Sequence, residues 1–358
     1  MTILVTGASG HLGANLVRRL LDEGARVRAL ARRESANGAL DGLGVEVVWS
    51  DLRDLEATRA AVRGCQRVYH CAAKVSTGEG QVREIYESNV LGTRHLLRAA
   101  LETGVERVVV TGSFSAVGHV PGRPSDESDA VNPFERMLPY QRSKIAVEHE
   151  SLRAMAQGLD VVIATSCAIV GPHDYKPSPM GRALLDFARG RLRAYVPGGF
   201  EFVAARDIVE GHRLVMDKGR TGHKYIFSSG HTTMDELMGY YEEITGRRRP
   251  RWRLSPPVMA ALAEVTSFVT TRLRPDAPQR FTPGAVRLLR MGRRADTTKA
   301  RTELGFTPTP LRDAIVEAYA DFVRRGLVPR QGAGRRRCSR AGCRGWATRS
   351  RCGRIPSR

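Results

Sequence analysis

The chain begins with Thr2-Ile-Leu-Val-Thr6, a short apolar and β-branched run. It passes at once into Gly7-Ala-Ser-Gly10-His-Leu-Gly13, and Ala14 to Leu21 then carries apolar residues at helical spacing. This pattern predicts a buried strand, a tight turn and a helix that begins near Leu12. Glycine at spacing three suits a turn where φ is positive or where backbone must touch a ligand. The helix that follows presents unpaired N–H groups and the positive end of its dipole, a ready site for phosphate. Gly7, Ser9, Gly10, His11, Leu12 and Gly13 are therefore the candidate residues of a dinucleotide pyrophosphate cradle.

The first half continues the same alternation. Strands are expected at 2–6, 26–31, 45–49, 67–71, 107–111 and 160–165, with helices at 12–23, 54–63, 82–103 and 139–157. Runs such as Val108-Val-Val-Thr111 and Val161-Val-Ile-Ala164 are apolar without alternation, as parallel strands covered on both faces require. The fold class is α/β: a Rossmann-like, doubly wound parallel sheet with a smaller C-terminal substrate subdomain. Residues 1–172 form the nucleotide-binding domain, and strands near 202–206 and 224–228 are expected to return to its sheet. Residues 173–201 and 233–329 form the substrate subdomain, with helices at 180–189, 233–245, 257–271 and 311–325. Residues 330–358 form a disordered, Arg-rich tail.

That tail governs how the charge is read. The formal net charge of +20 would ordinarily point to nucleic acid or an acidic surface. Residues 330–358 hold ten of the 57 basic residues and no acid, which leaves 47 basic against 37 acidic residues, or +10, over 1–329. Nucleic acid is not expected as a partner. Cys338, Cys343 and Cys352 in the tail match no zinc spacing, so no metal is expected. Cys65, Cys71 and Cys167 read as reduced core thiols. With the first strand starting at residue 2, a signal peptide finds no room, and a cytoplasmic location is expected. The longest apolar stretch, Pro257 to Val269, is too short to span a bilayer and contains Glu264.

The end of the second strand speaks to the cofactor. A cradle that prefers NAD usually places an acid there, on the ribose 2′-hydroxyl. Here Val27-Arg-Ala-Leu-Ala31 ends in alanine and is followed by Arg32-Arg33. NADP(H) is expected in preference to NAD(H), with Arg32 the better candidate for the 2′-phosphate because a guanidinium both stacks on adenine and forks onto phosphate. Asp51-Leu52, after the third strand, is expected near the adenine. Ala72 and Ala73, ending the fourth strand in His70-Cys-Ala-Ala73, are small enough to let backbone approach the cofactor.

Tyr140 and Lys144 lie four residues apart at the start of a helix that Pro139 suits as its first residue. A phenol with an ordinary pKa of about 10 exchanges protons poorly near neutrality, and a neighbouring ammonium stabilises its anion. Tyr140 is the candidate proton donor, and Lys144 the residue that tunes it and holds the nicotinamide ribose. Ser113, at the mouth of the fifth strand, is the candidate for orienting a substrate carbonyl, with Ser115 as the competing choice.

Taken together, Thr6-Gly-Ala-Ser-Gly-His-Leu-Gly13, Asp51-Leu52, His70-Cys-Ala-Ala73, Asn89-Val-Leu-Gly-Thr93, Ser113, Tyr140-x-x-x-Lys144 and Gly171-Pro172 resemble an extended short-chain dehydrogenase/reductase over nearly all of residues 1–329. Within that superfamily (the NAD-dependent epimerase/dehydratase-like proteins), the chain is similar to dihydroflavonol-4-reductase-like enzymes and to the branch labelled hopanoid-associated sugar epimerases. The resemblance implies that Asn89 helps organise the active-site helix and that Ser166 to Ile169, including Ser166 and Ile169 themselves, face the nicotinamide. It also implies a homodimer through helices 82–103 and 139–157. The chain departs from the family in carrying Ser166 where proline is usual and Val170 where an aromatic is usual.

The expected function is an NADPH-dependent oxidoreductase that reduces a ketone or aldehyde of a lipophilic polyketide-, flavonoid- or terpenoid-like substrate, free or carrier-bound. Arg247-Arg-Arg249 and Arg293-Arg294 are candidates for docking an acidic carrier. The alternative is a nucleotide-sugar epimerase or dehydratase with retained NAD. Against it stands the apolar stripe Val258, Met259, Leu262, Val265, Phe268 and Val269, more natural beside a lipophilic substrate. A cofactor sensor without catalysis is disfavoured by the intact Ser113, Tyr140 and Lys144 set.

Overall fold

The computed structural model describes residues 1–33, 38–254 and 283–328. The helix expected at 257–271, its apolar stripe, and the Arg-rich tail lie outside the described residues.

In chain order the first half gives β1 (Thr2–Thr6), α1 (His11–Asp22), β2 (Arg26–Ala31), β3 (Glu46–Trp49), α2 (Leu55–Val62) and β4 (Arg67–His70). A helical segment follows in three parts: α3 (Val82–Ile85), a π-helical turn (Tyr86–Leu91) and α4 (Gly92–Glu102). Then come β5 (Arg107–Ser113), α5 (Pro139–Ala156) and β6 (Val161–Ser166). These strands and β10 (Lys224–Phe227) form one seven-stranded sheet, in the order β10-β6-β5-β4-β1-β2-β3, with every neighbouring pair parallel.

The apolar runs are explained by what covers each face. On one face Ile3, Val5, Val109, Val162 and Ala164 pack with Leu12, Leu16 and Val17 of α1 and with Ile208 and Val215 of α7 (Ala205–Lys218). On the other, Leu4, Val108, Val110, Val161 and Ile163 meet Val62 of α2, Leu96 and Leu97 of α4, and Val147 of α5. Neighbouring residues of one strand thus enter different cores, and none can be polar without cost. The strand order reverses between β1 and β4, so the crevice beyond their carboxyl ends is where a doubly wound fold binds its ligand.

The strand near 202–206 does not return to this sheet. It is β9 (Gly199–Ala204), which follows the two-residue β8 (Ala194–Tyr195) and pairs in parallel with β7 (Ala168–Val170) and antiparallel with β11 (Gly230–Thr233). The small sheet is covered by α6 (Pro179–Ala188), α8 (Met234–Thr245) and the C-terminal helix Leu311–Arg324. A third core of Leu184, Phe187, Phe202, Leu237, Tyr241, Ile315 and Phe322 joins them. Among the described residues no helix is long and apolar enough to cross a membrane.

Candidate active site

The glycine turn has the geometry its sequence demands. Gly7 holds φ at +66°, and a Cβ there would lie 2.6 Å from the Ala72 nitrogen; one on Gly13 would lie 2.2 Å from the Gly7 carbonyl oxygen. The first two turns of backbone are therefore closed against each other and against the end of β4. Gly10 is the N-cap of α1, in extended conformation and without a side-chain cap. A Cβ on Gly10 would touch only the Gly7 carbonyl, at 3.2 Å, which leaves its outer side open for phosphate beside the helix N-terminus. These residues fit a dinucleotide.

Around the cradle stand the other predicted residues. Ala72 abuts Gly7, and its N–H donates to Thr6 Oγ1 (3.3 Å). Leu52 is buried, with its Cβ 3.1 Å from where a Cβ on Gly92 would stand. Asp51 holds Arg53 through both carboxylate oxygens, at 3.0 and 2.7 Å, and this pairing with Arg53 keeps its carboxyl below the ordinary value. Arg32 follows β2 within electrostatic reach of Asp51. The neighbouring Arg33 lies 5.5 Å from the Trp49 ring, so the two arginines have different surroundings.

Ser113 ends β5, and its register partner across the sheet is Ser166 at the end of β6. Ser166 donates to the Cys167 carbonyl (2.9 Å); after that one residue the chain enters β7, which carries Ile169. Ser113 and Ser115 share a hydrogen bond between hydroxyls (2.9 Å), and the Ser115 N–H reaches Ser113 Oγ at 3.3 Å. Ser113 lies close enough to Tyr140 to favour the phenolate, while burial, the larger effect, pushes the phenol up. Lys144 is buried, and its ammonium donates to the Thr111 carbonyl at 2.7 Å. Burial lowers it from 10.5 to about 8. The structure thus brings Ser113, Tyr140 and Lys144 to one strand end. The ammonium is turned to backbone, and the forces acting on the phenol are burial and Ser113.

Two supports were not assigned from the residues alone. His70 is buried between Thr6 Oγ1 (2.7 Å to Nδ1) and Thr93 Oγ1 (2.8 Å to Nε2), and burial lowers its pKa to about 3. It is a neutral brace between β1, β4 and α4. Asn89, within the π-helical turn, accepts from the Lys74 N–H (2.7 Å) and donates to the Lys74 carbonyl (3.1 Å) and Ser143 Oγ (2.9 Å). Ser143 in turn donates to the Tyr140 carbonyl at 2.7 Å. Asn89 therefore ties the strand-end loop to the first turn of α5. A π turn is a frequent device at functional sites.

The proposed carrier-docking arginines are corrected in part. Arg293 is buried, donates to the carbonyls of Val117 and Gly118 at 2.6 and 2.9 Å, and lies 4.7 Å from the Phe114 ring. It is not a surface cation. Arg247 donates to the Ala188 carbonyl (3.0 Å), and Arg249 pairs with Glu242 (3.4 Å).

A parallel sheet ordered about a switch point, a glycine cradle beneath it, and serine, tyrosine and lysine at one strand end define a nicotinamide-dependent oxidoreductase fold. Residues 3–228 match the family described as NAD dependent epimerase/dehydratase, and the chain belongs to that family, within the extended short-chain dehydrogenases/reductases. It is 46% identical over 328 residues, covering 92% of this chain and 100% of the relative, to sterol demethylase protein B of Methylococcus capsulatus. It is 27% identical, over 86% of this chain and 92% of the relative, to the 4-hydroxy-2-methyl-3-oxo-4-farnesyl-3,4-dihydroquinoline-1-oxide ketoreductase of Stigmatella aurantiaca. Among solved structures, gox2253 superposes with a TM-score of 0.79 at 32% identity, covering 91% of this chain and 99% of that one. The chain is an NAD(P)-dependent oxidoreductase of this family.

Proposed function

We propose that the protein reduces a ring or chain ketone of a lipophilic, terpenoid- or sterol-like substrate with NADPH. The observation that carries this reading is the convergence of Ser113, Tyr140 and Lys144 at the carboxyl end of β5. When bound, the cofactor supplies hydride to the carbonyl carbon. Tyr140 gives its phenolic proton to the carbonyl oxygen, and burial, by keeping the phenol protonated, suits it to act as an acid. Ser113 donates to the same oxygen as negative charge gathers there. Lys144, now bonded to the Thr111 carbonyl, offers its remaining N–H groups to the ribose hydroxyls and its charge to the phenolate left behind. Asn89 holds the start of α5 so that Tyr140 keeps its place. The same residues serve the reverse oxidation.

The choice of NADPH rests on Arg32 and on the missing acid after β2. The lipophilic substrate class draws on the relatives' names, a sterol demethylase protein and a farnesylated-quinoline ketoreductase. In keeping with the same reading, the free thiols Cys65, Cys71 and Cys167 suit the cytoplasm. Exposed Tyr86 and Leu152 suit a two-fold pairing of the α3–α4 and α5 surfaces in a homodimer. The test is consumption of NADPH and NADH with a panel of cyclic ketones, sterol 3-ketones included. Stoichiometric NADPH loss with alcohol product supports the proposal. Tightly retained NAD and no net turnover would favour sugar epimerisation.

A further inference from the structure

The loop after β7, Gly171-Pro-His-Asp-Tyr-Lys-Pro-Ser178, is tied down along its length. The Pro172 carbonyl accepts from Asn15 Nδ2 (2.9 Å) and lies 3.1 Å from His11 Nε2, both on α1. The Tyr175 ring has the Arg325 guanidinium 4.2 Å and the Arg18 guanidinium 5.5 Å from its centre, and Arg18 also donates to its hydroxyl (3.2 Å). Ser178 N–H donates to Asp174 at 2.8 Å, and Arg325 donates to the Asp174 carbonyl at 3.1 Å. Between these anchors stands Lys176, whose ammonium donates to Ser9 Oγ at 3.1 Å although the two residues are 167 apart in sequence.

Ser9 is buried in the glycine turn between Gly7 and Gly10. Arg32 follows β2 within electrostatic reach of the Lys176 ammonium, which is lowered by burial first and by this arginine second. A fixed loop that brings a second cation toward an arginine incurs repulsion, and a dianion between them turns that cost into binding. The helix N-terminus already serves a pyrophosphate. The end of β2 is where the adenosine ribose carries its 2′ substituent.

We infer that Lys176, with Ser9 and Arg32, forms a three-element clamp for the ribose 2′-phosphate of the cofactor. The inference rests on the NADPH reading and assigns to it a residue from the far side of the crevice. Lys176 supplies a point charge where Arg32 supplies a planar fork, and Ser9 can give up its bond to Lys176 and donate its own proton to phosphate.

The experiment is a set of binding titrations with NADPH, NADH and adenosine 2′,5′-bisphosphate, on wild type, Lys176→Met and Arg32→Ala. Lys176 is exposed by its accessible surface, although its ammonium is partly screened from water where it meets Ser9, so an unchanged melting temperature is expected and reports intact fold. The clamp predicts that wild type prefers NADPH and that Lys176→Met weakens NADPH and the bisphosphate by about tenfold or more, with NADH within about twofold. Equal losses for NADPH and NADH would reassign Lys176 to the pyrophosphate and overturn the clamp. If wild type prefers NADPH, Arg32→Ala lowers that preference and Lys176→Met leaves it unchanged, the Lys176 assignment fails while the NADPH reading stands. A wild type that prefers NADH defeats both.

Discussion

Replacing Lys144 by methionine separates what the active site costs the fold from what it gives to catalysis. Lys144 is 5% exposed, and burial lowers its pKa from 10.5 to about 8. Each tenfold in a protonation equilibrium is about 1.4 kcal/mol, so holding the charged ammonium in place costs the folded state about 3 kcal/mol near neutral pH. The sign follows from proton binding. Between about pH 8 and pH 10.5 the unfolded chain binds this proton and the folded chain does not, so wild-type stability gains from this residue as pH rises, and the cost is fully present below about pH 8. Methionine is similar in volume and carries no charge, but it leaves the Thr111 carbonyl without its 2.7 Å donor, an offset of about 1–3 kcal/mol that does not change with pH. The net gain for Lys144→Met near pH 7 is therefore small. The informative quantity is the difference between variant and wild type measured by urea unfolding across pH. It should move against the variant by about 3 kcal/mol from pH 7 to above pH 10.5, with hydride transfer lost at every pH. A difference that stays flat would refute the buried, depressed ammonium on which the site geometry depends.

Tyr140→Phe should lower turnover by about 10²–10⁴-fold and leave cofactor affinity within about twofold, as read by fluorescence titration, because it removes only the transferred proton. Asn89→Ala strands the Lys74 backbone and Ser143, so thermal unfolding should show a loss of about 1–3 kcal/mol, accompanied by reduced kcat as the first turn of α5 loosens. Gly7→Ala forces a Cβ to 2.6 Å from the Ala72 nitrogen at φ +66°, and calorimetry should find no cofactor binding even where the variant folds. His70, lowered to about 3 by burial, stays neutral while the unfolded chain protonates near 6.5. Its contribution should be complete above about pH 6.5 and decline as pH falls toward 3, a loss that is absent from the acid unfolding of His70→Gln.

The alternating strands and helices were legible because the inner strands of the sheet are buried on both faces, as the edge strand β3 is not. The run Arg26 to Ala31 coincides with β2, since its apolar residues serve two cores at once. The segment 82–103 read as one helix, and its π turn is not written in periodicity. That turn carries Asn89, whose bonds to Lys74 and Ser143 bridge 15 and 54 residues, and local propensity contains neither. The strand expected near 202–206 looked like part of the main sheet because apolar residues are common to both sheets; it forms as Gly199–Ala204, and its partners β7 and β11 are set by chain path. Ser113, Tyr140 and Lys144 were chosen as candidates by residue type and spacing, whereas the turn of the ammonium toward Thr111 required coordinates. Lys176 lies in a segment whose prolines marked it as a loop, and long-range bonds such as those from His11 and Asn15 to Pro172 bring it over the cradle.

The central claim is hydride transfer from NADPH to a lipophilic ketone with Tyr140 as acid. The direct measurement is mass analysis of the alcohol formed when the enzyme is given NADPH deuterated at the transferable nicotinamide position and a cyclic terpenoid or sterol ketone. The account predicts one deuterium on the carbinol carbon for each NADPH consumed, with the labelled alcohol forming about 10²–10⁴-fold more slowly with Tyr140→Phe. Unlabelled product, or label that remains on cofactor held by the protein without net oxidation, would contradict it.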